Sequence, residues 1–109
     1  MSGIVGRRVS LGQENGPDVE LIVTGTAVYA TYETPDGYPA IYDAARGLFV
    51  YARLQDGRYE STGVPVTAPA PPGLVRHAKE SDAVRAARIH EREAEMEQRS
   101  GRQGKKERT

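Results

Sequence analysis

The sequence predicts a mainly β protein: a small antiparallel β-meander of four to six strands, followed by a proline-rich spacer and one charged C-terminal helix. Three observations carry that reading. Short runs with period-two alternation recur before residue 67, turn residues separate them, and the composition changes sharply near residue 75. All six Tyr and all seven Pro lie before that point, whereas the remainder is rich in Arg, Glu and Ala. A length of 109 residues suits one domain rather than two.

The elements follow in order. Ile4 to Leu11 is a weak edge-strand candidate, because Arg7, Arg8 and its glycines interrupt an otherwise apolar pattern. Val19 to Thr24 is rich in β-branched residues. Ala27 to Glu33 sets Val28, Ala30 and Tyr32 against Tyr29, Thr31 and Glu33, the pattern of a half-buried strand. Thr34-Pro35-Asp36-Gly37 then turns the chain, with Pro35 fixing φ at the first corner and Gly37 supplying the positive φ that closes the hairpin. The return strand is Tyr38 to Asp43. Ala44 to Gly47 leads into Leu48 to Leu54, and Gln55-Asp56-Gly57-Arg58 turns into Tyr59 to Thr62. These strands make up a β-domain over residues 1–67.

A spacer occupies residues 68–80. Pro69, Pro71 and Pro72 remove backbone donors and favour extended geometry, so the run should be semi-rigid. A charged helix is expected over 81–100, since Ser81 or Asp82 makes a good N-cap and Ala83 to Arg99 contains neither Gly nor Pro. Its apolar positions, chiefly Val84, Ala87 and Ala94, are too few to bury much of it, so it should project from the sheet. Residues 101–109 read as a disordered basic tail.

The charge balance, 15 Lys+Arg against 15 Asp+Glu, gives no global field toward nucleic acid or an anionic surface. It conceals an asymmetry, because residues 1–75 hold five Arg and eight acids, and residues 76–109 hold ten basic residues and seven acids. Nucleic acid is not expected as a partner, since the tyrosine-bearing half is acidic and the basic tail carries no aromatics. No apolar run approaches the roughly 20 residues that span a bilayer, and no apolar N-terminal segment reads as a secretory signal, so a soluble, cytoplasmic protein is expected.

Motifs for chemistry are sparse. The absence of Cys excludes thiol catalysis, disulfides and Cys-ligated metals. His90-Glu91 opens like a zinc-protease helix, but Ala94 stands where the second histidine is needed, so His90 reads as solvated. His77, between Arg76 and Lys79, reads as a surface residue. No Ser lies in a nucleophile-elbow pattern, and Asp36, Asp43 and Asp56 fall in or beside turns, where Asp bonds nearby backbone. Neither a catalytic residue, a metal ligand nor a cofactor is assigned, and enzymatic activity is not expected.

The aromatics are the remaining candidates. Strand tyrosines usually form the packed face of a sheet with hydroxyls at its rim; they also serve as interface residues, because they bury large area at small entropic cost. The partner-binding set is therefore Tyr29, Tyr32, Tyr38, Tyr42 and Tyr51 of the meander, with Arg88 and Arg92 of the helix.

The segment Gly25 to Tyr38, with its Thr34-Pro35-Asp36-Gly37-Tyr38 turn, followed by Gly47, Tyr51-Ala52, Asp56-Gly57 and Ser61-Thr62-Gly63, resembles the N-terminal region of secreted metalloproteases of the immune inhibitor A type. The resemblance covers roughly residues 20–95 with the spacer and helix included. It implies a prodomain-like module without the catalytic domain, because no extended H-E-x-x-H helix stands in this chain, and no catalytic residue carries over. It also implies a protease partner, inhibited or chaperoned in trans. The reading of the residues alone leaves a second course open, a structural adaptor that docks into a larger assembly through its C-terminal helix and tail. Self-association through an exposed edge at Ile4 to Leu11 or Tyr59 to Val66 is a further option.

Overall fold

Six strands form one open antiparallel sheet in sequence order: β1 (Ile4–Gln13), β2 (Gly16–Gly25), β3 (Ala30–Glu33), β4 (Pro39–Asp43), β5 (Leu48–Gln55) and β6 (Arg58–Pro65). A single helix, α1 (Asp82–Arg108), follows. The mainly β meander with one C-terminal helix is thus the architecture of the chain. This computed structural model describes residues 3–108, with side chains for residues 3–98. The tail expected at 101–109 lies outside the residues described with side chains.

Turn chemistry sets the meander. Gly37 has φ 95° and donates to the Thr34 carbonyl at 2.8 Å, while the Thr34 hydroxyl accepts from the Tyr38 amide at 3.1 Å. Asp56 and Gly57 both take positive φ, 53° and 79°, which suits a two-residue hairpin between right-twisted strands. Asp43 holds the β4–β5 turn, accepting from the Arg46 side chain at 2.9 Å and the Ser61 hydroxyl at 2.8 Å. The Ser61 hydroxyl, with Arg46 adding to it, keeps the Asp43 carboxyl below its ordinary range against the opposing effect of burial.

Several elements differ from the sequence expectation; β6 runs to Pro65 rather than Thr62, and α1 to Arg108 rather than residue 100. β1 and β2 are longer than Ile4 to Leu11 and Val19 to Thr24, because Glu14 and Asn15 form the hairpin tip and a bulge between Leu11 and Gln13 absorbs Pro17. The strand expected from Ala27 begins only at Ala30. Residues 26–29 are a turn, closed by the Thr26 amide on the Tyr29 carbonyl at 2.8 Å, so Tyr29 sits at a corner rather than in the sheet.

The long β1–β2 hairpin curls over the sheet to reach the far turn. The Asn15 amide bonds the Gly47 carbonyl at 3.0 Å, and the Gln13 side-chain oxygen accepts from the Phe49 amide at 2.6 Å. This curl encloses Val19, Leu21, Ala40 and Phe49, with Leu11, Tyr32 and Val66 packed around them. Phe49 lies between two rings, 5.4 Å from Tyr32 and 5.0 Å from Tyr42 in tilted and edge-on geometry. Along β5 the neighbouring Val50 and Ala52 are also buried, so both faces of that strand are covered.

The cover comes from the segment between β6 and α1, which is laid back on the sheet as a strap. The Tyr51 hydroxyl donates to the Ala68 carbonyl at 2.6 Å, and the Tyr59 hydroxyl to the Ala78 carbonyl at 2.7 Å. The Arg76 guanidinium lies 5.1 Å from the centre of the Tyr38 ring. His77 donates its amide to the Gly37 carbonyl at 2.8 Å, and Ser81 does the same to Gly57, so the strap crosses two hairpin turns. Among the described residues, no helix is long and apolar enough to cross a membrane.

Candidate functional site

A carboxylate at the end of the strap stands at the edge of a large groove. Glu80 is 3% exposed and stands immediately before the helix cap Ser81, whose hydroxyl accepts from the Val84 amide at 3.2 Å. Four donors converge on it: the Tyr29 hydroxyl at 2.9 Å, the Tyr59 amide at 2.7 Å, and Arg88 Nε and Nη2 at 2.8 and 2.9 Å. A carboxylate offers about four lone-pair sites, so Glu80 is saturated. Burial works to raise its pKa, and the bonds from Arg88, the Tyr59 amide and Tyr29 outweigh that, holding it below the ordinary carboxylate range. The same contact pushes the phenols the other way. Burial first, then the Glu80 charge, raises Tyr59 to about 12, and burial together with the bond to Glu80 raises Tyr29 as well.

Through Arg88 this centre sets α1 beside β3 and β4 and leaves a groove of about 470 Å³ between them. Ala30, Thr31 and Ala40 are among the sheet residues that line it. Tyr29, Tyr32, Ile41 and Tyr42 also line it from the sheet side, and Glu91, Arg92 and Glu95 line it from α1. Arg92 pairs with Glu95 at 3.7 Å, an exposed contact of small energetic weight. Tyr42 is 37% exposed, and its hydroxyl reaches the Glu14 carboxylate at 3.0 Å.

The structure brings five of the sequence-derived candidates to this one place: Tyr29, Tyr32, Tyr42, Arg88 and Arg92. Tyr38 and Tyr51 lie elsewhere, packed edge to face at 6.2 Å under the strap, where Tyr51 bonds Ala68 and Tyr38 carries Arg76. Arg88 is spent on Glu80, so its part is to position the helix. Glu80 itself escapes sequence reasoning, since nothing in the string links it to Tyr29, 51 positions away. The one usable signal is its place directly before a Ser cap.

The histidines occupy the positions a surface reading gives them. His77 is exposed and contacts Glu33 at 3.0 Å, and His90 is exposed on α1. Among the described residues, no group of three or more His, Cys, Asp or Glu side chains is arranged to hold a metal ion. Compared with known proteins, the chain matches no family model, no curated protein and no solved structure.

Proposed function

We propose that this chain is a non-catalytic protein-binding module that receives part of another protein in the groove between β3–β4 and α1. The observation that carries it is the juxtaposition of half-exposed aromatic surface and a charged helix wall around one open groove. Glu80 supports the non-catalytic part of the reading. Its lone pairs are all engaged by the protein's own donors, which suits an anchor and leaves none for a substrate proton. The resemblance to the N-terminal region of immune inhibitor A-type metalloproteases sharpens the proposal: the partner is a metalloprotease that the module inhibits or chaperones in trans.

Affinity capture from native cells with the intact chain and with Tyr42→Ala, followed by mass spectrometry, tests both levels. A metalloprotease captured by the first and lost with the second, and inhibited by the purified chain, supports the proposal in full. Capture of the same proteins by both chains would sink the groove as the binding surface. A second reading, the structural adaptor, draws on the exposure of α1 from His90 to Gln98, where only Ala94 is half-buried. A chain stopped after Ile89 keeps the Glu80–Arg88 contact. Loss of binding in that chain, with binding retained by Tyr42→Ala, favours the adaptor.

A further inference from the structure

The two edges of the sheet are finished differently. β6 is partly capped by the protein's own groups: Glu80 takes the Tyr59 amide, and the hydroxyls of Ser61 and Thr62 take the amides of Gly63 and Val64. β1 is open. It bonds β2 on one side, and among the described residues no backbone bond reaches its other side. Seven of its ten residues are exposed, Val5 at 88%, and the register with β2 runs unbroken from Arg7 to Leu11.

β1 is also charged against its surroundings. It holds Arg7 and Arg8 and no acid, on a half-chain that carries five Arg and eight acids. Adjacent strand residues point to opposite faces, so the two arginines mark both faces of the same edge. Arg8 meets Glu20 of β2 at 3.0 Å with both side chains more than half exposed. No ion pair to Arg7 is found among the described residues. A bulge at Gly6, with φ 59°, bends the strand before this pair, and the pair itself opposes alignment with an identical edge.

We propose that the β1 edge binds a partner by strand addition, and that the partner is an extended segment carrying adjacent acidic residues opposite Arg7 and Arg8. Backbone bonds to an open edge give the affinity and the alternating side chains give the choice of sequence. The arginines that keep a second copy away are the groups that select an acidic strand. The site lies on β1, away from the groove residues, and stands whether or not the groove binds a protein.

The test uses the full chain and two labelled peptides matching β1 in length, alternating Thr and Val, one with Asp-Glu at its centre and one with Lys-Lys. Fluorescence anisotropy at low salt should show the acidic peptide binding about tenfold more tightly, since two favourable cross-strand charge pairs replace two repulsive ones. Amide exchange should slow in residues 7–12 and not in α1. Arg7→Glu should remove most of the preference while leaving Arg8–Glu20 in place, and high salt should weaken it. Equal binding of the two peptides, no binding of either, or protection away from β1 overturns the proposal. So does slowing of β1 exchange with rising protein concentration alone, which would mean that a second copy takes the edge.

Discussion

Arg88 approaches Glu80 with two nitrogens at 2.8 and 2.9 Å, so the second turn of α1 is fastened side-on to a carboxylate that is itself bonded to the β2–β3 corner and to β6. Three parts of the chain distant in sequence meet at one residue. Paired, two-toothed contacts of this kind are geometrically demanding, which is why one of them suffices to orient a helix with so little apolar surface.

Removing that carboxylate should be costly. Glu80→Ala leaves the Tyr59 amide and the Tyr29 hydroxyl without partners and strips Arg88 of its counter-charge, a loss of about 2–4 kcal/mol. The lower half of that span is expected, since the Arg88 side chain is 40% exposed and water compensates it in part. Urea unfolding followed by circular dichroism measures the loss. A change within a few tenths of a kcal/mol of the wild type would mean that the helix is held elsewhere.

Acid should act through the same residue. Glu80 titrates below its ordinary range in the folded state, as does Asp43, so the folded protein binds fewer protons than the unfolded chain as the pH falls through the carboxylate range. Their contribution is therefore present above about pH 4.3 and lost progressively below it. The urea midpoint should fall more steeply from about pH 5 downward in the wild type than in Glu80→Gln, which has no proton to gain at that site. Parallel curves for the two proteins would remove Glu80 from the acid response.

Base acts with the opposite sign. Tyr59 is raised to about 12, so the folded state keeps a proton that the unfolded chain releases near pH 10. The stability linked to it is complete below about pH 10 and declines as the pH climbs from there toward the folded value. A spectroscopic tyrosinate titration should show three of the six phenols, Tyr29, Tyr51 and Tyr59, ionising late and together with loss of β signal. Six phenols titrating as one unperturbed group would contradict the buried contact with Glu80.

What the sequence disclosed was local. The Thr34–Gly37 and Asp56–Gly57 turns are legible because positive φ and a side-chain acceptor are demanded within four residues, and the unbroken apolar run from Leu48 to Ala52 matches a strand buried on two faces. The corner at Tyr29 reads as strand in the sequence, since Ala27 to Tyr29 alternates acceptably and only the Thr26 amide on the Tyr29 carbonyl decides otherwise. The groove was half legible. Tyrosines on strands and arginines on a helix are natural interface residues, but which of them meet depends on Glu80 and the strap, contacts separated by up to 51 positions that no periodicity encodes.

The strap should loosen by a measurable step when one tyrosine oxygen is removed. Tyr51→Phe deletes the 2.6 Å bond to the Ala68 carbonyl without changing the ring that packs on Tyr38, at a cost of about 1 kcal/mol. Amide exchange should quicken in the strap while the β1–β2 ladder holds its rate. Tyr42→Phe is the control, because its hydroxyl bonds an exposed Glu14 and its loss should move stability by less than half as much.

Two glycines separate backbone strain from lack of space. Gly25 has φ 136°, and a Cβ built there falls 2.2 Å from the Tyr29 carbonyl oxygen; Gly73 has φ 88° with nothing within 4 Å of its Cβ position. Alanine at Gly73 meets only the conformational penalty of a left-handed residue, about 1 kcal/mol. Alanine at Gly25 meets that penalty and must also push apart the corner that carries Tyr29 to Glu80, so the cost should exceed that at Gly73 by at least about 1–2 kcal/mol. Because the displaced corner bears one wall of the groove, Gly25→Ala should also weaken any partner that binds there, whereas Gly73→Ala should not. Comparing urea midpoints and partner affinity across the pair decides whether the β2–β3 corner holds the groove in shape, and equal losses in the two variants would show that it does not.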